Sequence, residues 1–262
     1  MRAKKDTKNK PQKSFAKAFK MDIGREKEIT EEKWEVQADK SLLMNLTRQI
    51  IFKYLCEYPC ASLSTIARDI QLSPPSTSWH LKLLLERKLV SEKKLGGTKI
   101  FYPNKMLDRI GISVLSLLAN QKMQDIFIQI NNSPGISQKE LTERLGLSHQ
   151  SINAFTNRLR NEDLITIVRD GKFTRYYPTT KLDKVGTAHH KKLKEFKKWV
   201  IKAFKFDGVN PKLLRVTDRH LLLQITAGKK IKSIKLSVNP FITITQNKSR
   251  FLSEIKNIGL NE

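Results

Sequence analysis

Two stretches of the chain share one pattern of apolar and polar positions. Residues 72–103, LSPPSTSWHLKLLLERKLVSEKKLGGTKIFYP, open on Ser-Pro-Pro, continue with apolar residues at helical spacing and close on two short runs about a Gly-Gly pair. Residues 147–178, LSHQSINAFTNRLRNEDLITIVRDGKFTRYYP, follow the same plan 75 positions later without a gap. Serine before a helix accepts a hydrogen bond from a free N–H of the first turn, and proline inside that turn has no N–H to lose. The pattern therefore predicts, twice, a Ser-capped helix followed by a β-hairpin. Upstream of the first stretch the spacing predicts a helix over 43–57 carrying Leu46, Ile50, Phe52 and Leu55. A break at Pro59 and a shorter helix over 62–70, burying Ile66, Ala67 and Ile70, come next. The same order returns as helices over 123–131, 137–145 and 148–161 and a hairpin turning at Asp170-Gly171. Identities across the offset, such as Pro59 with Pro134, Ser62 with Ser137, Leu84 with Leu159 and Gly96 with Gly171, fall on caps, turns and core positions. What repeats is a fold.

In the first capped helix Thr77, Leu81 and Leu84 lie at i, i+4 and i+7 and face the other helices, which leaves Ser76, Ser78, Trp79, Lys82 and Leu83 outward. His80, whose counterpart in the second copy is Phe155, reads as a packed, neutral residue. The second capped helix turns out a denser polar face of His149, Gln150, Ser151, Asn153, Asn157 and Arg158. Between the copies, residues 106–120 (MLDRIGISVLSLLAN) predict an apolar linker helix that must be covered, either by the flanking modules or by another subunit. Beyond the second copy Leu193, Phe196, Val200 and Phe204 form an apolar stripe on a helix whose other face is nearly all lysine. The period then changes: LLRVTDRHLLLQIT, IKSIKLSVN and FITITQ predict a small antiparallel sheet packed on that helix, with a short helix from Ser249. The resulting organisation is a charged arm over 1–40, modules over 41–105 and 122–181 joined by the linker 106–121, and an α+β unit over 187–262. The fold class predicted is mainly α with β wings, two such modules in tandem plus a small C-terminal α+β domain.

Charge narrows the partners. The 262 residues hold 50 Lys and Arg against 25 Asp and Glu, a formal net charge of +25, and such a chain attracts polyanions, nucleic acid first and an anionic membrane surface second. The excess is concentrated at the ends: residues 1–20 have eight basic residues against Asp6, and 187–262 have 17 against five acids. Cys56 and Cys60 have no second pair or nearby His to complete a zinc site and read as small packing residues. No apolar run of about 18 residues occurs, so the chain reads as soluble and cytoplasmic. It has no Gly-rich phosphate loop and no zinc-protease motif, and His189-His190 lack companions at metal-ligand spacing, reading instead as part of a basic helix cap. The expectation is a non-enzyme without metal or cofactor.

The order helix, helix, helix, two-stranded wing resembles the winged helix-turn-helix. SPPSTSWHLKLLLERKLV is similar to the recognition-helix signature of the ArsR/MarR-type regulators common in archaea. The resemblance covers residues 43–105 and 122–181, the second copy gaining most from lying in register with the first. More loosely, the C-terminal part resembles the small domain that follows tandem winged helices in archaeal regulators. These likenesses imply a sequence-specific regulator of transcription that binds double-stranded DNA. Pro74, Ser76, Ser78, Trp79 and Lys82 would then face the major groove, since an α-helix fits there; for Trp79 the other reading is packing against its own module. Asn and Gln pair bidentately with adenine and Arg with guanine, so the face from His149 to Arg158 is the better base reader, unless it is an ordinary solvated face. Lys93, Lys94, Lys99, Arg169, Lys172 and Arg175 would sit on phosphates or in the neighbouring minor groove. A homodimer and contacts with the transcription machinery fit the same reading. Two competitors remain, a protein-interaction module, against which the basic wings count, and an RNA-binding protein, which would want an aromatic stacking surface.

Overall fold

The computed structural model describes residues 42–227 and 230–243; the arm over 1–40 and the helix from Ser249 lie outside them. A single 3-10 turn, Leu42–Met44, leads into α1 (Leu46–Glu57), whose first turn is capped by the Asn45 side chain accepting from the Arg48 N–H. The helix thus starts three residues later than the spacing predicts, and Leu46 is exposed. Strand β1 (Ala61–Ser62) precedes α2 (Leu63–Ile70), which is capped by Ser62, and α3 (Pro74–Glu86) is capped by Ser73 with the two prolines at its first positions. Thr77, Leu81 and Leu84 are buried as predicted; Leu83, read as outward, is buried too. Strands β2 (Val90–Leu95) and β3 (Thr98–Pro103) close the hairpin, and β1 adds to its other side, giving the order β1-β3-β2. A two-residue strand next to Pro59 and Cys60 is too short to leave a periodic signal, and sequence reasoning missed it.

Helix α4 (Arg109–Leu118) is followed by the same succession: α5 (Gln121–Asn132), β4 (Ile136–Ser137), α6 (Gln138–Leu145), α7 (His149–Asn161), β5 (Ile165–Asp170) and β6 (Phe173–Pro178), in a sheet ordered β4-β6-β5. At the start of α6 the Ser137 hydroxyl accepts from the Glu140 N–H while the Glu140 carboxylate accepts from the Ser137 N–H, a capping box that satisfies two orphan donors at once. The two wings turn differently. Leu95 pairs with Thr98 across Gly96 and Gly97, both at positive φ, whereas Asp170 pairs with Phe173 across Gly171 and Lys172, of which only Gly171 has positive φ. Those are the signs that type I′ and type II′ loops require. Asp170 is therefore the last strand residue and not a turn residue.

Helix α8 (Lys181–Phe206) begins directly after the second wing, six residues before the start predicted for the C-terminal unit, and runs 26 residues into a sheet of β7 (Asn210–Val216), β8 (His220–Ala227) and β9 (Lys230–Ser237), antiparallel in that order. The stretch LLRVTDRHLLLQIT is two strands turning at Thr217–Arg219, and the start of FITITQ, expected as a strand, is one helical turn, α9 (Pro240–Thr243). With these strands, which the expected C-terminal α+β unit supplies, the described residues form a mixed α/β structure.

The buried residues form two cores that do not follow the order of the chain. One joins Ile50, Ile51 and Leu55 of α1 and Leu84 of α3 to Leu193, Phe196, Val200 and Phe204 of α8 and to Leu221, Leu223 and Leu236 of the C-terminal sheet. The rings of Phe52 and Phe204 lie 6.1 Å apart within it. The other joins α4 to α5, α7 and the second wing, and takes in Leu182, Val185 and Phe241. The apolar linker is thus covered from within the chain: Val114, Leu115 and Leu118 are in the second core, and Ile112 accepts from the Cys60 thiol at 3.8 Å. The chain also closes near its described start, where Asp207 accepts from the N–H groups of Leu42 and Leu43 at 3.2 and 2.9 Å.

Candidate nucleic-acid interface

Burial of Thr77, Leu81 and Leu84 fixes which way α3 turns its other side. Ser78, Trp79 and Lys82 are exposed with Pro74 and Pro75, while Ser76 is half-buried. Trp79 keeps 41 % of its surface exposed, yet it is held: the Arg48 guanidinium lies 5.8 Å from its ring centre and the His80 ring meets it edge-on at 4.7 Å. The indole therefore both packs on its own module and offers a face outward, so the two readings of Trp79 are not exclusive. His80 is buried, and desolvation, aided by Arg48, pulls its pKa down to about 4, which makes it the neutral packed residue expected.

On α7, burial of Ile152, Thr156 and Leu159 leaves His149, Gln150, Asn153, Asn157 and Arg158 exposed and Ser151 half-buried. Ser151 belongs partly to the cap, since its N–H donates to Ser148 Oγ at 3.2 Å and its own Oγ accepts from the Ser148 hydroxyl at 3.0 Å. One residue of the site escaped sequence reasoning. Gln138, at the start of α6, donates from Nε2 to Asn153 Oδ1 at 2.9 Å and to the His149 carbonyl at 3.2 Å. This bond fixes which end of the Asn153 amide is oxygen, leaves its two N–H donors turned away from Gln138, and keeps a lone pair on Oδ1. Only the register between α6 and α7 brings the two side chains together, 15 positions apart in sequence.

The wing cations divide into two groups. Lys94, Arg169 and Lys172 are exposed and reach no carboxylate among the described residues, and Lys93 is half-buried. Lys99 instead pairs with Glu92 at 2.8 Å. Arg175 pairs with Asp170 at 2.6 Å and donates to the Gly135 carbonyl at 3.1 Å, the Asp170 bond raising its pKa. Arg175 is thus a brace across the wing as much as a free cation. The outer face of this wing also exposes Val168, Phe173 and Tyr177, and Lys172 lies 5.4 Å from the Phe173 ring centre. Alternation along β5 and β6 is compatible with these residues facing inward or outward, which is why they gave no signal.

Along α8, Lys191, Lys194, Lys198, Lys202 and Lys205 are exposed on the side opposite the apolar stripe. His189, expected in a helix cap, lies inside the helix, buried, with Nε2 2.9 Å from the Val238 carbonyl; desolvation lowers its pKa. Cys56 and Cys60 are buried and unpaired, and burial raises both thiols. Among the described residues no group of His, Cys, Asp or Glu is placed to hold a metal ion, and no helix is long and apolar enough to cross a membrane.

Comparison with known proteins meets this geometry at the second copy. Residues 120–166, which span α5, β4, α6, α7 and the start of β5, match the family model of winged helix-turn-helix DNA-binding segments. An uncharacterised HTH-type transcriptional regulator of Methanocaldococcus jannaschii is 26 % identical over 139 residues, 53 % of this chain and 35 % of the relative. The chain thus spans about a third of the length of the curated relative it matches. Among solved structures, an ArsR-like transcriptional regulator from Rhodococcus sp. RHA1 aligns with 36 % of this chain and 89 % of its own at 22 % identity and a TM-score of 0.32. MarR aligns with 37 % and 74 % at 19 % identity and a TM-score of 0.26.

Proposed function

We propose that this chain is a sequence-specific regulator of transcription that binds double-stranded DNA through two winged helix-turn-helix modules, α7 reading bases and α3 mainly positioning. The observation that carries the reading is the exposed face of α7, where Asn153, Asn157 and Arg158 stand above a buried apolar side inside the segment that matches the DNA-binding family. Asn and Arg are the side chains that pair bidentately with adenine and guanine edges in the major groove. The exposed cations Lys94, Arg169 and Lys172 at the wings suit phosphates, which orient a protein on a duplex without naming a sequence. The resemblance between the element orders of the two copies supports docking α3 on the duplex as well, there mainly to position the chain, and Trp79, held between Arg48 and His80, offers a rigid contact for it.

The test is selection of a preferred duplex from a randomised pool, followed by affinity measured against salt on that duplex and on a random one. If about six to ten phosphates are engaged, log K falls against log salt with a slope near −0.9 for each. A flat salt dependence, or no sequence enriched over the pool, contradicts the reading.

A further inference from the structure

The lysine face of α8 is unlike the other exposed helix faces of the chain. From Lys184 to Phe206 the sequence has eight lysines and one acid, Glu195. Lys191, Lys194, Lys198, Lys202 and Lys205 are exposed and fall three or four positions apart, so they share a wedge of about 80° along roughly 21 Å of helix. None of the five reaches a carboxylate among the described residues, while the flanking Lys192 pairs with Asp108 at 3.5 Å. Four successive like-charge pairs at i, i+3 and i, i+4 therefore work against the helix. Solubility does not require this, because mixed signs serve it as well. The chain uses mixed signs elsewhere: Lys82 lies 4.0 Å from Glu86 on α3, and Lys139 lies 3.8 Å from Glu143 on α6, both at i, i+4. The helix dipole favours cations only in the last turn, which accounts for Lys205 and not for Lys191 to Lys198.

A row of unpaired cations at this spacing suits a polyanion with closely set charges. A duplex carries about one phosphate per 1.7 Å of its axis, hence about twelve along the length of the row. An anionic membrane fits less well, since a helix that lies on one sinks an apolar face among the acyl chains. Here that face is taken: Leu193, Phe196, Val200 and Phe204 are used in the core they share with α1. We propose that the lysine face of α8 is a third nucleic-acid contact, outside both winged modules, which lies along the phosphate backbone of a duplex. The face is held in place by a core on either half of the helix, through Leu182 and Val185 at its start and the apolar stripe beyond. It adds affinity without sequence information, as phosphate contacts do. The choice of duplex DNA as the polyanion rests on the proposed DNA-binding reading.

The experiment uses the full chain and two variants of equal charge. One combines Lys191→Gln, Lys194→Gln, Lys198→Gln and Lys202→Gln; the control combines Lys105→Gln, Lys122→Gln, Lys212→Gln and Lys235→Gln, all at exposed positions off this face. Affinity is measured against salt on the selected duplex and on a random one. The α8 variant is expected to bind both duplexes more weakly with the ratio between them unchanged. Its slope of log K against log salt should be shallower by about 0.9 for each phosphate lost, about two units or more in all, and that of the control by less than about one unit. The urea midpoint of the α8 variant should stay level or rise, because repulsion is relieved, whereas lysine stems that merely cover the core predict a fall. Equal slope changes in the two variants, or a slope untouched by the α8 substitutions, overturns the contact and leaves the face to solvent or to an acidic protein. Failure of the DNA-binding reading looks different. A parent chain without a preferred duplex contradicts that reading, yet the slopes on the random duplex still decide for or against α8; a parent chain that binds no duplex overturns both.

Discussion

The side chains that sequence could locate are those with a local job. Ser62, Ser73, Ser137 and Ser148 cap helices as their positions predict, because a cap needs only its own first turn. Residues whose job lies across a gap were not legible: Gln138 meets Asn153, and Arg175 turns to Asp170 and Gly135, through tertiary register that periodicity does not encode. Most of the proposed contact residues are therefore exposed as periodicity predicts, whereas the side chains that brace them were not foreseen. Arg158→Ala or Asn153→Ala is expected to cost on the order of 1–3 kcal/mol on the preferred duplex and less on a random one, while Lys94→Ala weakens both about equally; competition titrations on the two duplexes check this. Gln138→Ala should reproduce part of the Asn153 loss without touching DNA, and an unchanged specificity ratio would show that the amide needs no brace. His80 gives a pH prediction. Its pKa is about 4 in the fold against 6.5 in the free side chain, so below pH 6.5 the unfolded chain takes up a proton that the folded one refuses. Stability is full above pH 6.5 and is lost as pH falls toward 4. His80→Phe, which installs the residue that the second copy has at this position, is expected to flatten that loss, read as the urea midpoint at pH 5 relative to pH 7.

At the level of elements, helices with strong periodicity and a cap were legible, and edges were not. FITITQ alternates like a strand, but Phe241 is drawn into the second core and the backbone turns once as α9, tertiary packing overriding a two-residue period. The strands β1 and β4 are too short to have a period at all, yet each adds a third strand to its wing. Two substitutions test the helix ends and interior. Ser137→Ala removes one half of the capping box and is expected to lower stability by about 0.5–2 kcal/mol. Gly186 lies inside α8 with ordinary helical φ, and a Cβ there would meet Phe241 at 3.5 Å, a normal contact. Gly186→Ala should therefore raise stability by about 0.5–1 kcal/mol, measured by denaturant unfolding, because glycine loses more backbone freedom on folding than alanine. A destabilised Gly186→Ala would mean that Phe241 cannot yield at all.

For the whole molecule, no local pattern announces that the C-terminal sheet belongs with the first module. Periodicity says which side of α8 is buried but not against what, and the partner proves to be α1, about 150 positions earlier. Phe204→Ala is accordingly expected to cost about 3–5 kcal/mol and to unfold the first module with the C-terminal sheet, seen as simultaneous loss of amide protection in α1 and β8. A chain ended at Lys184 should expose Ile50, Ile51 and Leu55 and aggregate. The shared core also has a consequence for synthesis. A chain made from its N-terminus completes α1 to β3 long before Leu193 to Leu236, the wall on which they pack, leaves the ribosome. At roughly 5–20 residues per second the first module waits on the order of ten seconds with that wall missing. Its folding thus waits for the C-terminal sheet, while α4 to β6, whose contacts are mostly local, can settle first.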